Sequence, residues 1–87
     1  MDSYKIEWKR SAAKELKLLP KETIKKILKA IEELSLNPFL PKTKKLIGSE
    51  HTFRIRVGDY RIIYDIYSKL LVIEIIRVGH RRDIYER

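Results

Sequence analysis

Apolar and polar residues alternate near the start of this chain, follow a helical period through its first half, and alternate again in its second. Tyr4, Ile6 and Trp8 interleave with Lys5, Glu7 and Lys9, a period of two that predicts a half-buried opening strand. Ser11 is placed to cap a short helix over AAKELKLL, which stops near Pro20. Beyond Pro20, residues Ile24, Ile27, Leu28, Ile31 and Leu34 recur at spacings of three and four, so a second helix carries one apolar stripe. The short connection makes the pair an antiparallel helical hairpin. Asn37-Pro38-Phe39-Leu40-Pro41 cannot extend it, because each proline lacks a donor and biases its predecessor away from helical geometry. Lys42, Lys44 and Lys45 follow in a predicted loop that closes on Leu46, Ile47 and Gly48.

From Phe53 to Val78 the chain reads FRIRVGDYRIIYDIYSKLLVIEIIRV, three strand-like runs punctuated by Gly58-Asp59 and Ser68-Lys69. Treating Gly58-Asp59 as a two-residue hairpin turn sets Val57 opposite Tyr60, Arg56 opposite Arg61, Ile55 opposite Ile62, Arg54 opposite Ile63 and Phe53 opposite Tyr64. Alternation then sends Phe53, Ile55, Val57, Tyr60, Ile62 and Tyr64 to a core under the helices. Arg54, Arg56 and Arg61 share the other face, with Asp65 and Glu74 as ion-pair partners. The same count across Ser68-Lys69 sets Ile62 opposite Ile75 and Arg61 opposite Ile76, which adds Ile63, Val72, Ile76 and Val78 to the arginine face. Like charges directly opposite one another destabilise a sheet and are best tolerated where an anion sits.

Charge sharpens this picture. The formal net charge is +8 on 87 residues, enough for one domain spanning residues 1–87 and suited to a polyanion or an acidic protein as partner. With no cysteine, there is neither a disulfide framework nor thiolate chemistry, which suits a reducing, cytoplasmic setting. The apolar run Leu70–Val78 is broken by Glu74 and Arg77 and is too short to span a bilayer, so no membrane role is expected. No metal-ligand cluster or paired-carboxylate spacing is visible, and no cofactor is expected. The lysine run is either a solvated loop or a set of phosphate contacts.

The hairpin FRIRVGDYRIIYDI, the KLIG loop before it and the close VGHRRDIY after it together resemble the RelE toxins of the RelE/ParE superfamily, over essentially the whole length. The resemblance implies an α+β fold: a small antiparallel β-sheet with an N-terminal strand and a two-helix hairpin packed on one face. It implies an endoribonuclease that cuts mRNA in the ribosomal A site by metal-free attack of the substrate's 2′-hydroxyl on the adjacent phosphate. It further implies a RelB-like antitoxin in a hetero-oligomeric complex, with ribosome and mRNA as the other partners. Arg54 and Arg56 match the paired basic residues of the active strand, Arg61 the arginine that follows, Arg81 the arginine near the C-terminus and Tyr85 the terminal tyrosine.

Fixed guanidinium groups suit a phosphoryl transition state, whose charge gathers on equatorial oxygens. Tyr85 could stack on a base and hold the nucleotide in line for attack. RelE enzymes often carry lysine where this chain has Arg54 and Arg56, and a guanidinium does not give up its proton. That leaves the general base open between His80, which titrates in a suitable range, and no efficient base at all. His51, at a loop–strand junction, is a weaker candidate. Lys42, Lys44, Lys45 and Arg82 are candidate RNA or ribosome contacts. Two other readings share the fold: a ParE-like toxin that poisons DNA gyrase by binding, and an RNA-binding module without chemistry.

Overall fold

The alternation near the N-terminus becomes strand β1 (Lys5–Trp8), with Lys5 and Glu7 outward and Ile6 and Trp8 half-buried. In the computed structural model, which describes residues 3–80 and residue 82, there follow α1 (Arg10–Lys17), α2 (Lys21–Leu36), β2 (Thr43–Lys45), β3 (Thr52–Val57), β4 (Tyr60–Tyr67) and β5 (Val72–His80). The strands form one sheet in the order β1-β5-β4-β3-β2. The fold is α+β, with both helices contributing to the core on one face of the sheet.

The expected antiparallel sheet is corrected at one edge. β2 to β5 are antiparallel neighbours, but β1 runs parallel to β5, with Ile6 paired to Ile73 and Trp8 to Ile75. A parallel pair needs a long crossover, and here the helical hairpin and three strands intervene. Ser11 does not cap α1. The Lys9 N–H still donates to Ile75 O (3.0 Å), so β1 runs directly into a helix that begins at Arg10 without a side-chain cap.

On α2, Ile27, Ala30, Ile31 and Leu34 are buried against Ile55, Ile62 and Tyr64 of the sheet. Leu28, expected in the apolar stripe, is 45% exposed at its margin, and Ala30 takes a central place. The predicted lysine loop is also corrected. Thr43–Lys45 adds an edge strand to β3, with Lys44 opposite Arg54.

The β3–β4 register is the one counted from Gly58-Asp59, with Arg56 opposite Arg61. Gly58 supplies the left-handed φ of 60° that this turn requires. The β4–β5 register differs from the count, for two reasons. The turn is Ser68–Leu71 and not two residues, with Leu71 at φ 54°, which moves the pairing by two and preserves the faces. A bulge at Ile76 then shifts it by one more, so Ile62 pairs with Val78 and Arg61 with Gly79. That single residue reverses the alternation beyond it. Val78, expected on the arginine face, is instead buried in the helix-side core.

Candidate nucleic-acid interface

The face turned away from the helices is built on two rows of cross-strand neighbours. Lys44, Arg54 and Ile63 make one row across β2, β3 and β4; Arg56, Arg61 and Gly79 make the next across β3, β4 and β5. Neighbouring strands lie about 4.8 Å apart and alternate residues about 6.6 Å apart along a strand, so four cations occupy a patch of about one nucleotide's dimensions. Ile63 is buried yet lies outside the helix-side core, forming an apolar floor beside Arg54. Arg54 and Arg61 are half-buried and Arg56 is exposed, its Nε donating to Gly58 O at 3.4 Å. Gly79 lies opposite Arg61 on the neighbouring strand.

The same face changes sign towards the β4–β5 turn. Asp65, paired across to Thr52 and Glu74, accepts from the Thr52 hydroxyl at 2.6 Å and from the Tyr67 hydroxyl at 3.3 Å. His51 Nε2 lies 3.8 Å from the second Asp65 oxygen, and its ring packs 5.4 Å from that of Tyr67. Desolvation, then the charge and hydrogen bond of Asp65, push the Tyr67 phenol above its usual range. The sequence places Asp65 on this face, and in the structure Tyr67 and Thr52 join it there. The hairpin count contains both, since residues 52, 65 and 67 continue the alternation of Arg54 and Arg61.

The structure gathers Arg54, Arg56, Arg61 and Lys44 but sets His80, Lys45 and Lys42 apart from them. His80 pairs with Tyr60 on the opposite face, ring centroids 5.5 Å apart, and lines a recess with Glu15, Leu18 and Leu19. Its Nδ1 accepts the Arg82 N–H at 3.2 Å. Lys45 pairs with Phe53 and points to the helix side, while Lys42 bridges Glu33 at 3.8 Å. Arg82 is exposed beside His80. Arg81 and Tyr85 lie outside the described residues. Among those described, no group of three or more His, Cys, Asp or Glu is placed to hold a metal ion, and no helix is long and apolar enough to cross a membrane.

Comparison with known proteins adds a lineage to this geometry. Residues 6–85 match the family model described as the ParE toxin of the type II toxin–antitoxin system parDE. The chain belongs to the RelE/ParE superfamily of type II toxins. Toxin RelE3 of Methanocaldococcus jannaschii is 35% identical to it, over 94% of this chain and 96% of that protein. Toxin RelG of Mycobacterium tuberculosis is 33% identical, over 97% and 98% respectively. Among solved structures, the toxin superposes on the archaeal RelE–RelB complex from Pyrococcus horikoshii with a TM-score of 0.81 at 30% identity, covering 94% of this chain and 99% of that one. Both the mixed sheet and the helix pair of this toxin are therefore those of RelE structures.

Proposed function

We propose that this toxin is a ribosome-dependent endoribonuclease that cleaves mRNA in the A site and so arrests translation. The observation that carries the reading is the pair of cation rows, Lys44–Arg54 and Arg56–Arg61, fixed on one sheet face with like charges directly opposed. Strands hold these groups in place before substrate arrives, which is what transition-state charge stabilisation needs. In this reading Arg61 clamps the scissile phosphate and Arg54 and Arg56 bind and neutralise the backbone. Arg81 adds a second clamp near the leaving oxygen, and Tyr85 stacks on a base. Lys44 extends the phosphate track to the sheet edge, with Lys42, Lys45 and Arg82 as outer contacts to ribosomal RNA. The reaction is attack of the substrate's own 2′-hydroxyl on the adjacent phosphorus, a route in which the protein's cations supply the charge stabilisation.

The partner that silences it is a RelB-like antitoxin. Solved relatives are RelE–RelB complexes, and a toxin of charge +8 suits an acidic or amphipathic segment laid over the arginine face. A second reading follows from the matched family model, whose description is a ParE toxin: inhibition of DNA gyrase by binding. One experiment separates them. Purified toxin is added to translating ribosomes with mRNA 3′ ends mapped, beside a gyrase supercoiling assay. Cuts within A-site codons support the nuclease; intact mRNA with blocked supercoiling replaces it by the gyrase reading.

A further inference from the structure

Arginine cannot accept the 2′-hydroxyl proton at neutral pH, and His80 faces away from the cation rows. The other imidazole does not. His51 precedes β3, yet its ring lies on the arginine face, because both side chains it meets, Asp65 and Tyr67, belong to the outward set of β4. Its backbone is fixed as well: His51 O accepts the Ile66 N–H at 2.8 Å, and the following Thr52 N–H donates to Ser49 Oγ at 2.9 Å. Asp65 is the hub. Its side chain is 15% exposed, one oxygen takes the Thr52 hydroxyl, and the other lies 3.8 Å from His51 Nε2. The His51 side chain remains 51% exposed and open to a ligand. Thr52 and Asp65 form the row next to Lys44–Arg54–Ile63, a step of about 6.6 Å along the strand.

We propose that His51, oriented by Asp65, is the proton acceptor for the 2′-hydroxyl of an RNA whose phosphate sits on Arg54, the cation in the row next to Asp65. This rests on the nuclease reading given above. A carboxylate facing Nε2 favours the tautomer with its proton there and leaves Nδ1 as the accepting atom. The 2′-O–H bond breaks as its proton passes to Nδ1, and the 2′-oxygen bonds to phosphorus. The P–O5′ bond then breaks with its electron pair on O5′, which takes a proton from water. The products are a 2′,3′-cyclic phosphate and a 5′-hydroxyl. Imidazolium then returns its proton to solvent. His51 is thus a catalytic residue and Asp65 a positioning one. The charged or titratable groups around the ring are Asp65 and Tyr67 of β4, Glu74 of β5 across from Asp65, Lys69 of the adjoining turn, and its neighbour Glu50.

The test is single-turnover cleavage of mRNA on programmed ribosomes, with saturating toxin, across the pH range where imidazole titrates. Wild-type rate should rise with pH and level off as the acceptor becomes neutral. His51→Gln should cut about 10²–10⁴-fold more slowly and lose the pH-dependent limb, with ribosome affinity and thermal stability kept. Asp65→Asn should cut at least about tenfold more slowly yet retain the limb, since the imidazole is still present. A His51→Gln variant that cuts at wild-type rate, or a limb that disappears in His80→Gln instead, overturns the assignment while leaving the nuclease reading intact. Wild-type protein that leaves mRNA whole overturns both.

Discussion

Arg56 and Arg61 face each other directly across β3 and β4, one row along from the Lys44–Arg54 pair of β2 and β3. Opposed like charges in an antiparallel pair cost about 0.2–1 kcal/mol relative to neutral neighbours, a local penalty that a bound anion would relieve. Arg56→Thr should therefore raise the melting temperature by about 2–5 °C while slowing mRNA cleavage at least tenfold. Calorimetry beside the ribosome assay checks both. A variant that loses stability and activity together would show that Arg56 holds the hairpin and not a phosphate.

The outer edge of β5 beyond Ile75 is not covered by β1, whose pairing ends there. Glu15 of α1 takes over: its carboxylate accepts the Val78 N–H at 2.9 Å and bridges Arg77 at 3.4 Å. A partly buried donor left without this acceptor costs about 1–3 kcal/mol. Glu15→Ala should thus lower the unfolding free energy from urea titrations by that much, and Glu15→Gln by less, because the amide oxygen can still accept. Equal losses in the two variants would assign the effect to the charge on Arg77.

Much of this site was legible because one turn was. Gly58-Asp59 fixes the β3–β4 register by chemistry local to two residues, and the positions of Arg54, Arg56, Arg61 and Asp65 follow by parity. The other hairpin was not legible in that way. Leu71 adopts a left-handed φ that its side chain does not advertise, and the bulge at Ile76 has no glycine or proline to mark it. Those two features decide that Val78 turns inward and that Gly79, not Ile76, faces Arg61. β2 escaped notice for a different reason: Thr43-Lys44-Lys45 has no apolar alternation, and it is a strand because β3 offers it an edge. His51 reaches Asp65 from the loop before β3, where no periodicity operates.

Tyr64 is completely buried, stacked 6.2 Å from Phe53, and its hydroxyl finds no hydrogen-bond partner among the described residues. The Thr43 hydroxyl is donated to Leu40 O at 2.7 Å. Burial pushes the Tyr64 phenol up to about 12, with Thr43 opposing the shift. The folded state thus favours the protonated phenol over an unfolded value of 10.0. The resulting stability is intact below pH 10 and is lost as pH rises from there towards 12, at about 1.4 kcal/mol per unit. Tyr64→Phe should remove that alkaline loss and match or exceed wild-type stability at pH 7. Denaturant titrations at pH 7, 10 and 11 measure it, and an unchanged alkaline slope in the variant would assign the loss to other groups.

Leu71 closes the β4–β5 turn with φ 54°, a conformation that costs a residue with a Cβ about 1–2 kcal/mol. The turn is held by backbone bonds, Leu70 N–H to Tyr67 O at 3.1 Å and Leu71 N–H to Ser68 O at 3.3 Å, while the Leu71 side chain is 37% exposed. Little packing therefore offsets the strain. Leu71→Gly relieves the steric cost and gives back part of it in unfolded-chain entropy, for a net gain of about 0.5–1 kcal/mol. Leu71→Asn should gain less. Because this turn sets the pairing of β5 against β4 up to the bulge at Ile76, the gain should appear in slower hydrogen exchange of those β5 amides as well as in the melting temperature. A loss of stability in Leu71→Gly would mean that the exposed leucine side chain does packing work which outweighs its backbone strain.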